Sequence, residues 1–299
     1  MSAGKMHEDE VDIDLSLVGR LLSSQFPQWA DLPIEAVPSA GTVNAIYRLG
    51  GDMVVRLPRT HWATDHIDRE NRWLPRLAPL LPLSVPVPLA KGKPGEEYPW
   101  QWSVHRWLEG KDAAVEPVAD LHQAAADLAR FVAAIQQIKF SDGPPSGRGT
   151  EMALRDNPTR SAIEELEGVV DTDAVTEVWE ACLLASPWEG QNVWTHGDLI
   201  PTNLLVQGGQ LSAVIDFGTV GIGDPACDLV AAWSVLSSET REGFRRSLGL
   251  DEAAWARGRG WALSQALMIL PYYRNTNPGL VAVARRIINE ILADHLEAE

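Results

Sequence analysis

The stretch LLVQGGQLSAVIDF, Leu204 to Phe217, constrains the fold of this 299-residue chain more than any other segment. Two apolar, strand-like runs flank Gly208 and Gly209, and a Gly-Gly pair in that setting signals a tight two-residue hairpin. With Gln207 opposite Gln210, the register sets Val206 against Leu211, Leu204 against Ala213 and Asn203 against Val214. Residues opposite one another share a face, as do residues two apart along a strand. Asn203 and Asp216 then become diagonal neighbours at the open end of the hairpin. An amide oxygen and a carboxylate placed there are hard donors of the kind that hold Mg²⁺ together with phosphate oxygens. Asp198, in the preceding polar turn THGDLIPTN, comes close enough to approach a substrate hydroxyl.

The flanking chain divides into two halves of different character. Residues 34–58, IEAVPSAGTVNAIYRLGGDMVVRLP, read as strands broken at SAG and at GGD, the latter a second Gly-Gly hairpin signal. DHIDRENRWLPRLAPLL carries apolar Ile67, Trp73 (or Leu74) and Leu77 with acidic residues early, as a helix does. A Pro-rich connection and a short strand in WQWSVHRWLEG complete a small α+β region. After Gly110 the pattern turns helical, beginning with the long amphipathic VADLHQAAADLARFVAAIQQI. SDGPPSGRGT reads as a flexible loop by composition. Helices follow over 158–186, separated at VVDTD. Segment 191–218 turns briefly to β, and 225–297 is nearly all helical. No internal repeat is present. The expected fold is α+β and two-lobed, with a small β-rich N-lobe, a larger mainly helical C-lobe and a cleft between them.

Charge and cysteine content narrow the function classes. With 25 Lys and Arg against 41 Asp and Glu, the net charge is −16, which argues against a nucleic-acid-binding protein. An acidic balance suits attraction of cationic small molecules and is also common among soluble proteins. Cys182 and Cys227 lack metal or disulfide spacing, and no apolar run reaches transmembrane length. The N-terminus is acidic where a signal peptide is basic and then apolar. A cytoplasmic protein without membrane or nucleic-acid partners is expected.

The pattern H-G-D-x-x-x-x-N followed by I-D-F-G, and then GDPACDL ending at Leu229, resembles the aminoglycoside phosphotransferase family, relatives of the protein kinases. The resemblance is strongest over residues 191–235 and continues more loosely from about residue 34 to the C-terminus. It implies a protein-kinase-like fold and assigns Asp198 to the proton of the attacking hydroxyl. Asn203 and Asp216 would hold Mg²⁺ on the phosphates of ATP, with GTP the alternative nucleotide. His196 would brace the loop, and Asp228 would tie it to the following helix. Ile200 and Thr202 stand where many relatives carry His and Gly, so this loop is a variant.

In the N-lobe the resemblance puts Arg56 of MVVRLPR where relatives place a phosphate-binding Lys. Arg also binds phosphate, through two parallel donors. Glu70 would be its ion-pair partner, with Asp68 as rival. Ser39 and Thr42 would contact phosphate from the loop Ser39–Leu49. Backbone groups near Val104, His105 and Arg106 would meet adenine, while the His105 and His122 side chains read as ordinary histidines. The implied division is a nucleotide-binding lobe over 1–104, a hinge over 105–110 and a catalytic lobe over 111–299. The implied activity is phosphoryl transfer to a hydroxyl of a small molecule, with cationic molecules among the candidates. Candidate acceptors are an aminoglycoside, a macrolide, or a choline-, sugar- or amino-alcohol-like metabolite. A nucleotide-binding pseudokinase is the reading from a different class. The acidic run EELEGVVDTD is a candidate lining for the acceptor pocket, alongside its plainer reading as a solvated helix face.

Overall fold

The computed structural model describes residues 10–38 and 41–298. Asp14 caps helix α1 (Leu15–Gln25) by accepting the Leu17 N–H at 2.7 Å. The helix lays Leu17, Val18, Leu21 and Leu22 on one face of a five-stranded antiparallel sheet. That sheet comprises β1 (Ile34–Ala36), β2 (Asn44–Leu49), β3 (Met53–Pro58), β4 (Pro88–Gly92) and β5 (Trp102–Arg106), in the order β1-β2-β3-β5-β4. Val55, Leu57, Trp102 and Val104 supply the sheet side of this smaller core.

Two local readings change. Leu49 pairs with Met53, so the loop between β2 and β3 holds Gly50, Gly51 and Asp52. It is one residue longer than the Gly-Gly signal suggests. The Pro-rich connection contributes β4, which the composition hid. It lies at the sheet edge and starts at Pro88, where a missing N–H costs no ladder bond.

Helix α2 (Thr64–Leu77) joins the halves. It buries Glu70 near the sheet, while Trp73, Leu74 and Leu77 enter the larger core of the C-terminal half. The chain then forms β6 (Lys111–Asp112), α3 (Leu121–Gln136), α4 (Asp156–Glu165), α5 (Thr172–Leu183) and β7 (Val193–Thr195). Strands β8 (Leu204–Gln207), β9 (Gln210–Val214) and β10 (Gly221–Gly223) follow, then α6 (Ala231–Ser234), α7 (Ser238–Ser247), α8 (Glu252–Tyr273) and α9 (Pro278–Ala298). Small sheets β6-β8-β9 and β10-β7 sit against these helices. The observed α+β, two-part architecture is the expected one, although the chain leaves the large sheet after Arg106 rather than at Val104. Both cysteines are buried free thiols. Among the described residues, no helix is long and apolar enough to cross a membrane.

The segment read as a flexible loop is instead tied down. Gly147 N–H donates to Thr219 O at 3.0 Å, Ser146 N–H to Ile222 O at 3.0 Å, and Ser146 Oγ meets Thr195 Oγ1 at 3.0 Å. Its Gly and Pro residues let the backbone follow a tight path against β10 rather than leaving it free.

Candidate active site

A buried carboxylate organises the loop after β7. Asp228 lies in the short helical stretch after β10 and accepts the His196 N–H at 2.9 Å and the Gly197 N–H at 2.6 Å. Gly197 has φ +84°, a conformation that a side chain disfavours, so glycine is needed for the chain to present both donors. His196 accepts the Asp198 N–H on Nδ1 and faces Ile215 O with Nε2 at 3.1 Å. Those two contacts together require the neutral tautomer with its proton on Nε2. Phe217 packs edge-on against the ring at 4.6 Å. Burial pushes the Asp228 carboxyl above its ordinary range, opposed by the two donated N–H groups.

This scaffold holds Asp198 at the cleft. Asn203 Nδ2 donates to both the backbone oxygen and Oδ2 of Asp198, each at 2.9 Å. Gln265 of α8 donates to the other carboxylate oxygen, and Arg148 Nη2 stands 3.6 Å from it. The Asn203 amide nitrogen is thus committed, which leaves its oxygen as the donor atom for a metal.

The hairpin is present, with Gln207 opposite Gln210 and positive φ at both Gly208 and Gly209. Its register differs past Val206. A bulge shifts Leu205 opposite Ala213 and Leu204 opposite Val214, so Asn203 O receives the Ile215 N–H at 2.9 Å. Ser212 absorbs the extra residue, and its hydroxyl donates to Leu205 O at 3.2 Å. Asp216 then follows with φ +63°, a strained conformation for a residue with a side chain. Asn203 and Asp216 therefore meet through a bulge and a left-handed turn, not as diagonal neighbours on a flat ladder.

Arg56 on β3 donates to Glu70 Oε2 at 2.6 Å and lies 3.7 Å from Asp216 Oδ1. The other Glu70 oxygen accepts the Phe217 N–H at 3.0 Å, so one buried carboxylate links sheet, helix and hairpin exit. Desolvation opposes both charges. The Glu70 carboxyl is raised by burial against the pull of Arg56, and Arg56 stays above its ordinary value despite burial because Glu70 and Asp216 face it. The rival Asp68 is exposed and pairs with Lys91.

The remaining expected positions fare differently. Thr42 lies in the loop before β2 and accepts from Tyr273 Oη of α8 at 3.1 Å, while Ser39 falls outside the described residues. Val104, His105 and Arg106 lie within β5, flanked by β3 and β4. Arg106 N–H goes to Val87 O at 2.9 Å, and the Trp107 N–H just beyond it goes to Asp52 O at 2.7 Å. The chain free of the sheet is Leu108 to Gly110. His105 is buried, the core case of its reading as an ordinary surface or core histidine. Its ring is buried at the cavity wall with neither nitrogen partnered, and burial, helped by the Arg56 charge, holds its pKa well below the ordinary value.

Two cavities meet at these residues. The larger, about 510 Å³, runs from Val54, Arg56 and His105 to Trp107, Leu108 and Asp112. The smaller, about 290 Å³, is lined by Asp198, Arg148, Gln265 and Tyr273 among others. Asn203 and Asp216 line both, whereas Asp198 lines only the smaller. Hard oxygen donors at the junction, with Arg56 beside them, fit a divalent cation and phosphate oxygens. Sequence reasoning missed Arg148, Gln265, His66, Trp62 and Tyr273, which no local motif marks. The acidic residues of 164–173 line neither cavity. Helix α4 buries Thr159, Ala162 and Ile163 and leaves Glu164 and Glu165 in solvent.

The sequence model of the phosphotransferase enzyme family, APH, matches residues 35–261. An aminoglycoside 3′-phosphotransferase of Escherichia coli is 39% identical over 62 residues, which span 21% of this chain and 23% of that protein. The complex of an aminoglycoside 2″-phosphotransferase with GDP and kanamycin superposes with TM-score 0.71 at 18% identity, covering 93% of this chain and 98% of that one. A macrolide 2′-phosphotransferase from Brachybacterium faecium gives TM-score 0.61 at 22% identity, covering 92% and 98%. At such identities the solved structures establish the shared fold.

Proposed function

The chain belongs to the phosphotransferase enzyme family, and on that premise we propose that it transfers the terminal phosphoryl group of Mg²⁺–ATP to a hydroxyl of a small molecule of antibiotic type. GTP is the alternative donor. The observation that carries this reading is the junction of two cavities at Asn203 and Asp216, with Asp198 facing only the smaller. The base and ribose occupy the larger cavity, the phosphates reach Arg56 and the junction, and the acceptor enters the smaller cavity.

Asp198 takes the hydroxyl proton as the acceptor oxygen bonds to the γ-phosphorus and the bond to the β,γ-bridging oxygen breaks. Asn203, Gln265 and Arg148 hold the carboxylate in place for that transfer. Phosphoryl transfer depends mainly on positioning and charge neutralisation. Asn203 and Asp216 would hold Mg²⁺, which when bound neutralises and orients the phosphate oxygens. The departure from Lys at Arg56 leaves a cation in place, since the guanidinium is buried against Glu70 and reaches toward Asp216. The relatives named for aminoglycosides and macrolides support an antibiotic-type acceptor.

The test measures Mg²⁺-dependent nucleotide consumption and phosphorylated product with a panel of aminoglycosides and macrolides. Transfer to at least one acceptor, lost in Asp198→Ala, is expected. Nucleotide binding without transfer to any alcohol would leave a non-catalytic role and sink the proposal.

A further inference from the structure

Among the described residues, the smaller cavity has few charged groups, two carboxylates and one guanidinium. They are Asp198, Asp216 and Arg148. Asp216 faces Arg56 at 3.7 Å, and Asp198 already shares its carboxylate among Asn203, Gln265 and Arg148. The Arg148 Nε is buried and has no hydrogen-bond partner. Arg155 stands close by: burial first, and then the charge of Arg148, lower its pKa. Much of the remaining wall is apolar or aromatic, formed by Trp62, Ile269, Tyr273 and Leu280. Trp62 is about half exposed and lies edge-on to His66.

A polycation entering this space meets a guanidinium that cannot lose its proton. The one carboxylate near that guanidinium already has three partners. The net charge of −16 draws cations toward the molecule in general but places no additional carboxylate on this wall. An apolar face gains by covering Trp62, Ile269 and Leu280. An ether, ester or carbonyl oxygen also supplies the missing acceptor for Arg148 Nε–H. Resting on the phosphotransferase reading, we infer that the acceptor is an alcohol with an apolar face and accepting oxygens but no clustered positive charge, and that Arg148 turns polycations away.

The experiment compares a macrolide with kanamycin on the full chain with Mg²⁺ and saturating nucleotide. Phosphate transfer and the ligand-induced rise in Tm are both read. The wild type is expected to favour the macrolide at least 100-fold in kcat/KM, or in binding where neither acceptor turns over. Arg148→Gln loosens Asp198 and so lowers turnover of both acceptors alike, but it should narrow their ratio at least tenfold by improving kanamycin binding, read as its rise in Tm. A nucleotide-induced rise in Tm verifies that the variant is folded, and if it is not, the wild-type ratio alone decides. Kanamycin used as well as the macrolide, an unchanged ratio in folded Arg148→Gln, or no macrolide binding at all overturns the inference. Failure of the phosphotransferase reading looks different: no nucleotide-induced stabilisation and no Mg²⁺-dependent nucleotide hydrolysis, with or without acceptor.

Discussion

The side-chain amide of Asn203 donates to Asp198 twice, to its backbone oxygen and to its carboxylate, each at 2.9 Å. The proposed metal ligand and the proposed proton acceptor are therefore one unit, separated by five positions and joined by one amide. Asp198→Ala should lower kcat by about 10²–10⁴-fold, the usual range for losing a general base. Nucleotide affinity should stay within about twofold, because Asp198 does not line the larger cavity. Steady-state kinetics with a nucleotide titration reads both, and retained turnover would falsify the role.

Asp216→Ala removes a carboxylate at the cavity junction and the residue that sustains φ +63°. The Mg²⁺ concentration needed for half-maximal nucleotide binding should rise at least tenfold. An unchanged metal requirement in a folded variant counts against Asp216 as a ligand.

Glu70→Ala strands a buried guanidinium and an unmet Phe217 N–H. Removing one partner of a buried ion pair costs about 3–5 kcal/mol. Chemical denaturation should show a loss of that order, together with a raised KM for nucleotide as Arg56 loses its anchor. A loss below about 1 kcal/mol would mean that the pair is solvated in practice.

Asp228→Asn keeps the shape but turns one acceptor of two N–H groups into a donor. Leaving one buried N–H unmet costs about 1–3 kcal/mol. Urea unfolding should show that loss, and kcat should fall with it because the same N–H groups set the turn before Asp198. Equal stability and activity would show that the clamp is dispensable.

His105 ties stability to pH. Its folded-state pKa lies well below the ordinary 6.5 because of burial and the Arg56 charge. The unfolded chain takes up a proton near pH 6.5 while the folded chain stays neutral. The contribution is full above that pH and is lost as pH falls through the window down to the folded pKa. The stability of wild type relative to His105→Phe should drop by up to about 1.4 kcal/mol per pH unit through that window. Denaturation of both proteins at pH 8 and pH 5.5 measures this, and parallel pH dependence would contradict it.

Much of the polar constellation was legible because its parts lie close in sequence. His196, Asp198, Asn203 and Asp216 fall within one turn and one hairpin, where periodicity and glycine chemistry act locally. The Gln207–Gln210 pairing followed from Gly208 and Gly209 alone. The bulge at Ser212 did not, since a one-residue slip leaves no trace in an apolar alternation this short. The pairing of Arg56 with Glu70 came from the family resemblance, with Asp68 left as a rival that only the packing removed. That the Arg106 and Trp107 N–H groups are taken up by neighbouring backbone was not readable, because nothing local marks where β5 ends.

The sequence by itself thus determined the two-part α+β architecture, the tight hairpin and the order of the polar residues, all of which rest on contacts between near neighbours. Tertiary structure alone decided which distant groups share the cleft. Arg148 arrives on a loop pinned by Thr219 and Ile222, Gln265 and Tyr273 on α8, and His105 on a strand buried between two others. Their placement depends on how helices and sheets stack, and burial then sets the pKa of His105 and the unmet donor of Arg148. Those are properties of a packed environment, and no spacing of letters encodes them.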